Sequence, residues 1–136
     1  MAGFIGKWEI QSSENFSEYM SAIGVAEEKK AEALKFLGDG SKMSFEISNC
    51  GDEWEFRVGT QAGEKNIKFS LGKEFDTFTL DGRPIKTTFS LDGGNLKECQ
   101  KGDGFETINV RTVDGDCMTM TMTGNGVTCT RKYKKV

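Results

Sequence analysis

Residues 117–136, CMTMTMTGNGVTCTRKYKKV, read as two strands folded back on each other. Met118, Met120 and Met122 alternate with threonines, Gly124-Asn125-Gly126 supplies turn chemistry, and the alternation resumes at Val127. Neighbouring strand residues point to opposite faces. Val127, Cys129, Arg131 and Tyr133 therefore share one face, and Thr128, Thr130, Lys132 and Lys134 share the other. The second face is wholly polar, so the first is the inner one. An arginine and a phenol then aim inward, although arginine is among the residues least often buried.

The same period of two runs back to residue 41. Met43, Phe45 and Ile47 alternate with polar residues, as do Trp54, Phe56 and Val58, then Ile67, Phe69 and Leu71, then Phe78 and Leu80, then Ile85, Thr87, Phe89 and Leu91. Each run is the pattern of an antiparallel strand with one buried face. Turn chemistry falls between the runs at 49–52, 62–64, 72–73, 81–82, 93–94, 102–104, 114–115 and 124–126, much of it Asp-Gly or Gly-Gly. The single proline, Pro84, follows one of these turns, where it does least harm to a ladder. Strands about 8–12 residues apart, joined by short turns, predict a sandwich or an up-and-down barrel.

One stretch breaks the alternation. Phe16, Tyr19, Met20 and Ile23 recur at helical spacing. Asn15 is the predicted N-cap, with Glu18 completing a capping-box-like pair, and Gly24 suits the left-handed residue after the helix. A second helix is predicted from residue 25 or 26 to 37, with Glu27 and Glu28 at its positive end, Lys35 at its negative end and Gly38 as its stop. Two short helices over 15–38 cannot cover a sheet, but they can cap one end of a barrel. A barrel with more strands than its side chains can fill holds a cavity.

The totals exclude several functions. A chain of 136 residues can bury one sizeable core, so a single domain over 1–136 is expected. A net charge of −3 argues against a basic nucleic-acid face. There is no histidine, which removes catalytic triads, Cys-His pairs and His-containing zinc sites. The carboxylates are scattered, and no nucleophile–base set stands out, so the reading is non-enzymatic, with neither metal nor cofactor. Cys50, Cys99, Cys117 and Cys129 form no C-x-x-C pair and read as free thiols in a reducing cytoplasm. The first ten residues are too polar for a signal peptide, and no segment approaches the roughly 20 apolar residues of a membrane-spanning helix.

Three stretches carry a resemblance: GKWEIQSSENFSEYM (6–20), LGKEFDTFTLDGRPIKT (71–87) and GVTCTRKYKKV (126–136). Together with Arg111, twenty residues before the Arg131 of Arg-x-Tyr, they resemble the intracellular lipid-binding proteins, which include fatty-acid-binding and cellular retinoid-binding proteins. The resemblance covers the whole chain. It implies an all-β fold, a ten-stranded antiparallel up-and-down β-barrel (a clam) under a helix-turn-helix lid. It also implies a ligand carboxylate held by Arg111, Arg131 and Tyr133. The cavity and portal lining it implies comprises Phe16, Tyr19, Met20, Ala33, Trp54, Val58, Ala62, Leu80, Asp81, Arg83, Gln100, Asn109, Met118, Met120 and Met122.

The implied function is a monomeric cytoplasmic carrier of a long-chain fatty acid or similar hydrophobic carboxylate, with transient membrane contact through the lid and no nucleic acid. A retinoic acid carrier would use the same anchor and is the nearest alternative. A barrel that serves as a membrane or protein-interaction module is the alternative from another class. Retinol and retinal carriers fit less well, because that branch replaces the arginines with glutamines. Two departures are visible. Ser17 stands where the family usually has an acidic residue, and Ala62 stands where a bulky portal phenylalanine often falls, so no aromatic gate is inferred there. In ETINVRTV (106–113) the two arguments conflict. Ile108 and Val110 look like the inner face by alternation, whereas the resemblance turns Asn109 and Arg111 inward.

Overall fold

The alternating segments form ten antiparallel strands. The computed structural model describes residues 2–38, 40–60, 63–79 and 83–136. After a short 3-10 turn, Ala2–Phe4, come β1 (Gly6–Glu14), α1 (Phe16–Ala22) and α2 (Glu27–Leu37). The remaining strands are β2 (Ser44–Cys50), β3 (Glu53–Thr60), β4 (Gly63–Ser70), β5 (Phe75–Phe78), β6 (Pro84–Asp92), β7 (Asn95–Gly102), β8 (Phe105–Asp114), β9 (Cys117–Gly124) and β10 (Val127–Lys135). Every strand pairs with its sequence neighbour except β4 with β5, and β1 pairs with β10 to close the other side. The result is a nearly closed ten-stranded barrel under a helix-turn-helix lid. The β1–β10 register shifts between Ile10 and Ser12, an irregularity that bends β1 where it leaves β2 and continues along β10.

The β4–β5 gap lacks a backbone ladder among the described residues, and rings span it instead. Phe69 on β4 stacks on Phe89 of β6 with centroids 3.8 Å apart, and Phe75 of β5 stacks beside both. Phe56 meets Phe69 and Phe89 edge-on, and Trp54 stacks on Phe69. Each aromatic pair contributes about 0.5–1.5 kcal/mol beyond its buried area. Elsewhere in the core Trp8 is fully buried, and its indole Nε1–H donates to the Phe4 carbonyl at 3.1 Å.

The seven-residue α1 is too short to persist alone, so packing must hold it. Phe16, Tyr19, Met20 and Ile23 are its buried stripe, as the helical spacing predicts. It lies on β9 and β10 where Gly124 leaves room. A Cβ at Gly124 would sit 2.6 Å from Ile23 Cγ2 and 3.0 Å from Thr107 Cγ2. The last carbonyls of a helix lack intrahelical partners, and the barrel supplies them here. Asn125 Nδ2 donates to the Ala22 carbonyl at 2.7 Å, and Arg83 Nη1 donates to the Ile23 carbonyl at 2.8 Å. Among the described residues no helix is long and apolar enough to cross a membrane.

Two local expectations fail. Asn15 does not cap α1 with its side chain. It sits in the left-handed region at φ 62°, and its Nδ2 donates to the Thr128 carbonyl of β10 at 3.3 Å, which ties the strand-to-helix corner to the barrel. Phe78 does not face inward. Strand β5 begins three residues earlier, at Phe75; Phe75 and Thr77 take the inner positions, and Phe78 is 59% exposed. The paired expectation at Leu80 lies outside the described residues.

Candidate functional site

Cross-strand register arranges the inward side chains in rows. Arg131 of β10 stands opposite Met120 of β9, Met120 opposite Arg111 of β8, and Arg111 opposite Leu96 of β7. The two arginines thus share a row with one methionine between them. At about 4.8 Å per strand their backbones lie roughly 10 Å apart. The next row runs Tyr133–Met118–Val113, and the row on the other side runs Cys129–Met122–Asn109–Glu98–Phe89. Met118, Met120 and Met122 are all buried and stand in these rows between the polar groups. Methionine suits that place, being flexible and polarizable enough to mould to varied shapes.

Arg131 is 3% exposed. Its Nε donates to the Tyr133 hydroxyl at 2.9 Å, its Nη1 to Ser13 Oγ at 3.2 Å, and its Nη2 to the Leu37 carbonyl at the C-terminal end of α2. The guanidinium lies 4.5 Å from the Phe16 ring centroid. All three hydrogen-bond partners are neutral, and no carboxylate reaches ion-pairing distance of Arg131 among the described residues. Tyr133 is buried too, with Phe45 edge-on at 4.8 Å. Beside them burial pushes the Cys129 thiol up, despite the opposing pull of Arg131, so this cysteine stays a protonated apolar filler.

Arg111 has a different environment. Its Nη1 lies 3.1 Å from Glu98 Oε1, and both side chains are nearly inaccessible. Asn109 Nδ2 donates to the same oxygen at 3.2 Å, and Gln100 Nε2 donates to Glu98 Oε2 at 2.7 Å. Thr107 Oγ1 donates to Gln100 Oε1 at 3.2 Å. A polar network therefore runs from Thr107 to Arg111, whose guanidinium lies 5.0 Å from the Phe56 ring centroid. Asn109 and Arg111 point inward and Ile108 is 37% exposed, so simple alternation misreads β8 while the resemblance places it correctly. Glu98, the carboxylate at the centre of this network, is not among the residues singled out in the sequence. Its parity with Leu96 and Gln100 already placed it inside.

Burial pushes the Tyr19 phenol up to about 12, with the Glu98 charge adding to the rise and the Thr107 hydroxyl opposing it. The unfolded chain loses this proton near 10.0 and the folded one only near 12. Between those values the unfolded chain binds fewer protons, so stability is intact below the window and falls as pH rises through it, by up to about 1.4 kcal/mol per pH unit. Denaturant midpoints across that window should fall more steeply for the native chain than for Tyr19→Phe. Equal slopes would disprove the burial of this phenol.

The other expected site residues divide three ways. Phe16, Met20 and Trp54 are buried in the core, and Ala33 and Val58 are half-buried against it. Arg83 lies at the junction of barrel and lid, bonded to α1 and 4.4 Å from the Phe105 ring centroid. Ala62, Leu80 and Asp81 lie outside the described residues.

Residues 5–136 match the model of the lipocalin/cytosolic fatty-acid-binding protein family. The chain belongs to that family. Sodium/calcium exchanger regulatory protein 1 of Doryteuthis pealeii is 38% identical over 135 residues, spanning 99% of this chain and 98% of the relative. A solved REP1-NXSQ fatty acid transporter is 39% identical with a TM-score of 0.88, covering 100% of this chain and 98% of its own. A Schistosoma mansoni fatty acid binding protein in complex with arachidonic acid is 30% identical with a TM-score of 0.92, at 100% and 98% coverage. The lipid-carrier fold of this family extends over the whole barrel and lid described above.

Proposed function

We propose that this chain is a cytoplasmic, monomeric carrier that binds a long-chain fatty acid inside the barrel, carboxylate on Arg131 and Tyr133. The single observation that carries the reading is Arg131, a buried cation whose partners among the described residues are all neutral. A buried charge without a counter-ion is costly, and a guanidinium offers a fork that fits a carboxylate in two hydrogen bonds. The Tyr133 hydroxyl adds a further donor. Arg111, across Met120, supplies the second positive group of the site, shared with Glu98. The chain of the ligand then runs over Met118, Met120 and Met122, and each CH₂ removed from water contributes about 0.8 kcal/mol.

The three buried methionines favour a flexible acyl chain over a rigid polyene. Oleate should therefore displace an anionic fluorescent probe at lower concentration than retinoic acid does. Retinoic acid should quench the buried Trp54 by energy transfer, which oleate cannot do. Retinoic acid proving tighter by tenfold, about 1.4 kcal/mol, would replace the fatty-acid reading with the retinoid one.

A further inference from the structure

Asn125 and Gly126 make the turn between β9 and β10, and they are the only Asn-Gly pair in the chain. Both have positive φ, 46° and 83°, as in the two-residue hairpin turn that favours this pair. Both are exposed, and a Cβ built at Gly126 would meet nothing within 4 Å. The Asn125 side chain also has a task outside the turn. Its Nδ2 donates to the Ala22 carbonyl at 2.7 Å, at the end of α1, where carbonyls lack intrahelical partners. Arg83 Nη1, on the adjacent Ile23 carbonyl at 2.8 Å, is the other barrel side chain bonded to this end among the described residues.

An Asn-Gly pair is open to an internal reaction, because glycine puts no side chain in the way of its own amide nitrogen. The Gly126 nitrogen attacks Cγ of Asn125. The Cγ–Nδ2 bond breaks, and Nδ2 leaves as ammonia with the proton of the Gly126 nitrogen. The cyclic imide that remains takes up a solvent water at either carbonyl and opens to aspartate or isoaspartate. The leaving nitrogen is the atom that holds Ala22. That contact must open for the reaction to run, and afterwards it cannot re-form. An aspartate carboxylate only accepts hydrogen bonds, and its charge stands at the negative end of the helix dipole. Isoaspartate also lengthens the main chain inside a turn that joins the paired residues Gly124 and Val127. Gly124 is where α1 sits on the barrel, against Ile23.

We propose that Asn125 is a site of spontaneous deamidation, and that the reaction turns a transient opening of the lid corner into a permanent one. The inference stands on the lid geometry and is independent of the ligand. The native protein is aged in mildly alkaline buffer made with heavy-oxygen water, and its tryptic peptides are followed by mass spectrometry. Peptide 112–131 holds Asn125 as its only asparagine, and peptides 8–29 and 43–57 each hold one exposed comparator, Asn15 and Asn49. Peptide 112–131 should convert to the acid, with uptake of heavy oxygen, before the other two. Ion exchange separates the converted protein by its added negative charge. Amides of α1 should then exchange hydrogen about tenfold faster in the converted protein and in Asn125→Asp than in the native one. Asn15 or Asn49 converting as fast as Asn125 overturns the proposal. Exchange in α1 no faster after conversion than before overturns it too, and the converted native protein decides this alone if Asn125→Asp does not fold.

Discussion

Replacing Arg131 with glutamine will weaken binding of a long-chain fatty acid about 10- to 150-fold and will weaken binding of its methyl ester far less. A hydrogen bond to a charged group contributes about 1.5–3 kcal/mol, and Arg131 is a buried cation that no carboxylate among the described residues pairs with. Glutamine keeps most of the length and can still donate toward the Leu37 carbonyl, so the loss reports the charge rather than a collapsed lid contact. The ester discriminates further, because it keeps the acyl chain and the carbonyl but presents no charge. Titration calorimetry of both ligands against both proteins would settle it. Equal losses for acid and ester would mean that Arg131 holds the fold together and does not read the head group. Tyr133→Phe should show the same acid-selective loss at smaller size, since it removes one donor and leaves the cation.

The barrel was legible because water lies on one side of each strand. Lys132 and Lys134 against Arg131 and Tyr133 give the parity of β10 outright, and Met118, Met120 and Met122 against threonines give that of β9. The method fails where the interior is itself polar. On β8 the outward Ile108 is more apolar than the inward Asn109, so contrast between neighbours points the wrong way, and only the twenty-residue spacing from Arg111 to Arg131 corrects it. Asn15 failed for another reason. Whether an asparagine caps its own helix or reaches a carbonyl 113 positions away depends on how β1 meets β10, which no local rule contains. The pairing of Glu98 with Arg111 is of this kind too. Parity on β7 turns Glu98 inward and the spacing to Arg131 turns Arg111 inward, but which carboxylate meets which arginine follows from the register that the turn after Gly102 sets between β7 and β8.

That pairing gives the largest expected effect on stability. Glu98→Ala should lower the unfolding free energy by about 3–5 kcal/mol, the range for removing one partner of a buried ion pair. The alanine strands the Arg111 guanidinium in the interior and also strips the acceptor from Asn109 Nδ2 and Gln100 Nε2. Replacing both members, Glu98→Leu with Arg111→Leu, should cost less than Glu98→Ala alone, because a buried pair replaced by apolar side chains leaves no uncompensated charge. Urea denaturation of the three proteins measures this, and a double variant as unstable as the single one would show that the pair is not the source of the loss. The same carboxylate should restrain binding. With Glu98 in place, Arg111 and Arg131 together present one net positive charge to a ligand. Glu98→Gln preserves much of the hydrogen bonding and raises that charge to two, with Arg111 free to turn toward the carboxylate beyond Met120. Fatty-acid affinity should then rise while stability without ligand falls, and added ligand should recover part of the lost stability by mass action. A Glu98→Gln protein that loses stability and also binds fatty acid more weakly would show that Glu98 holds the site in shape and does not shield it.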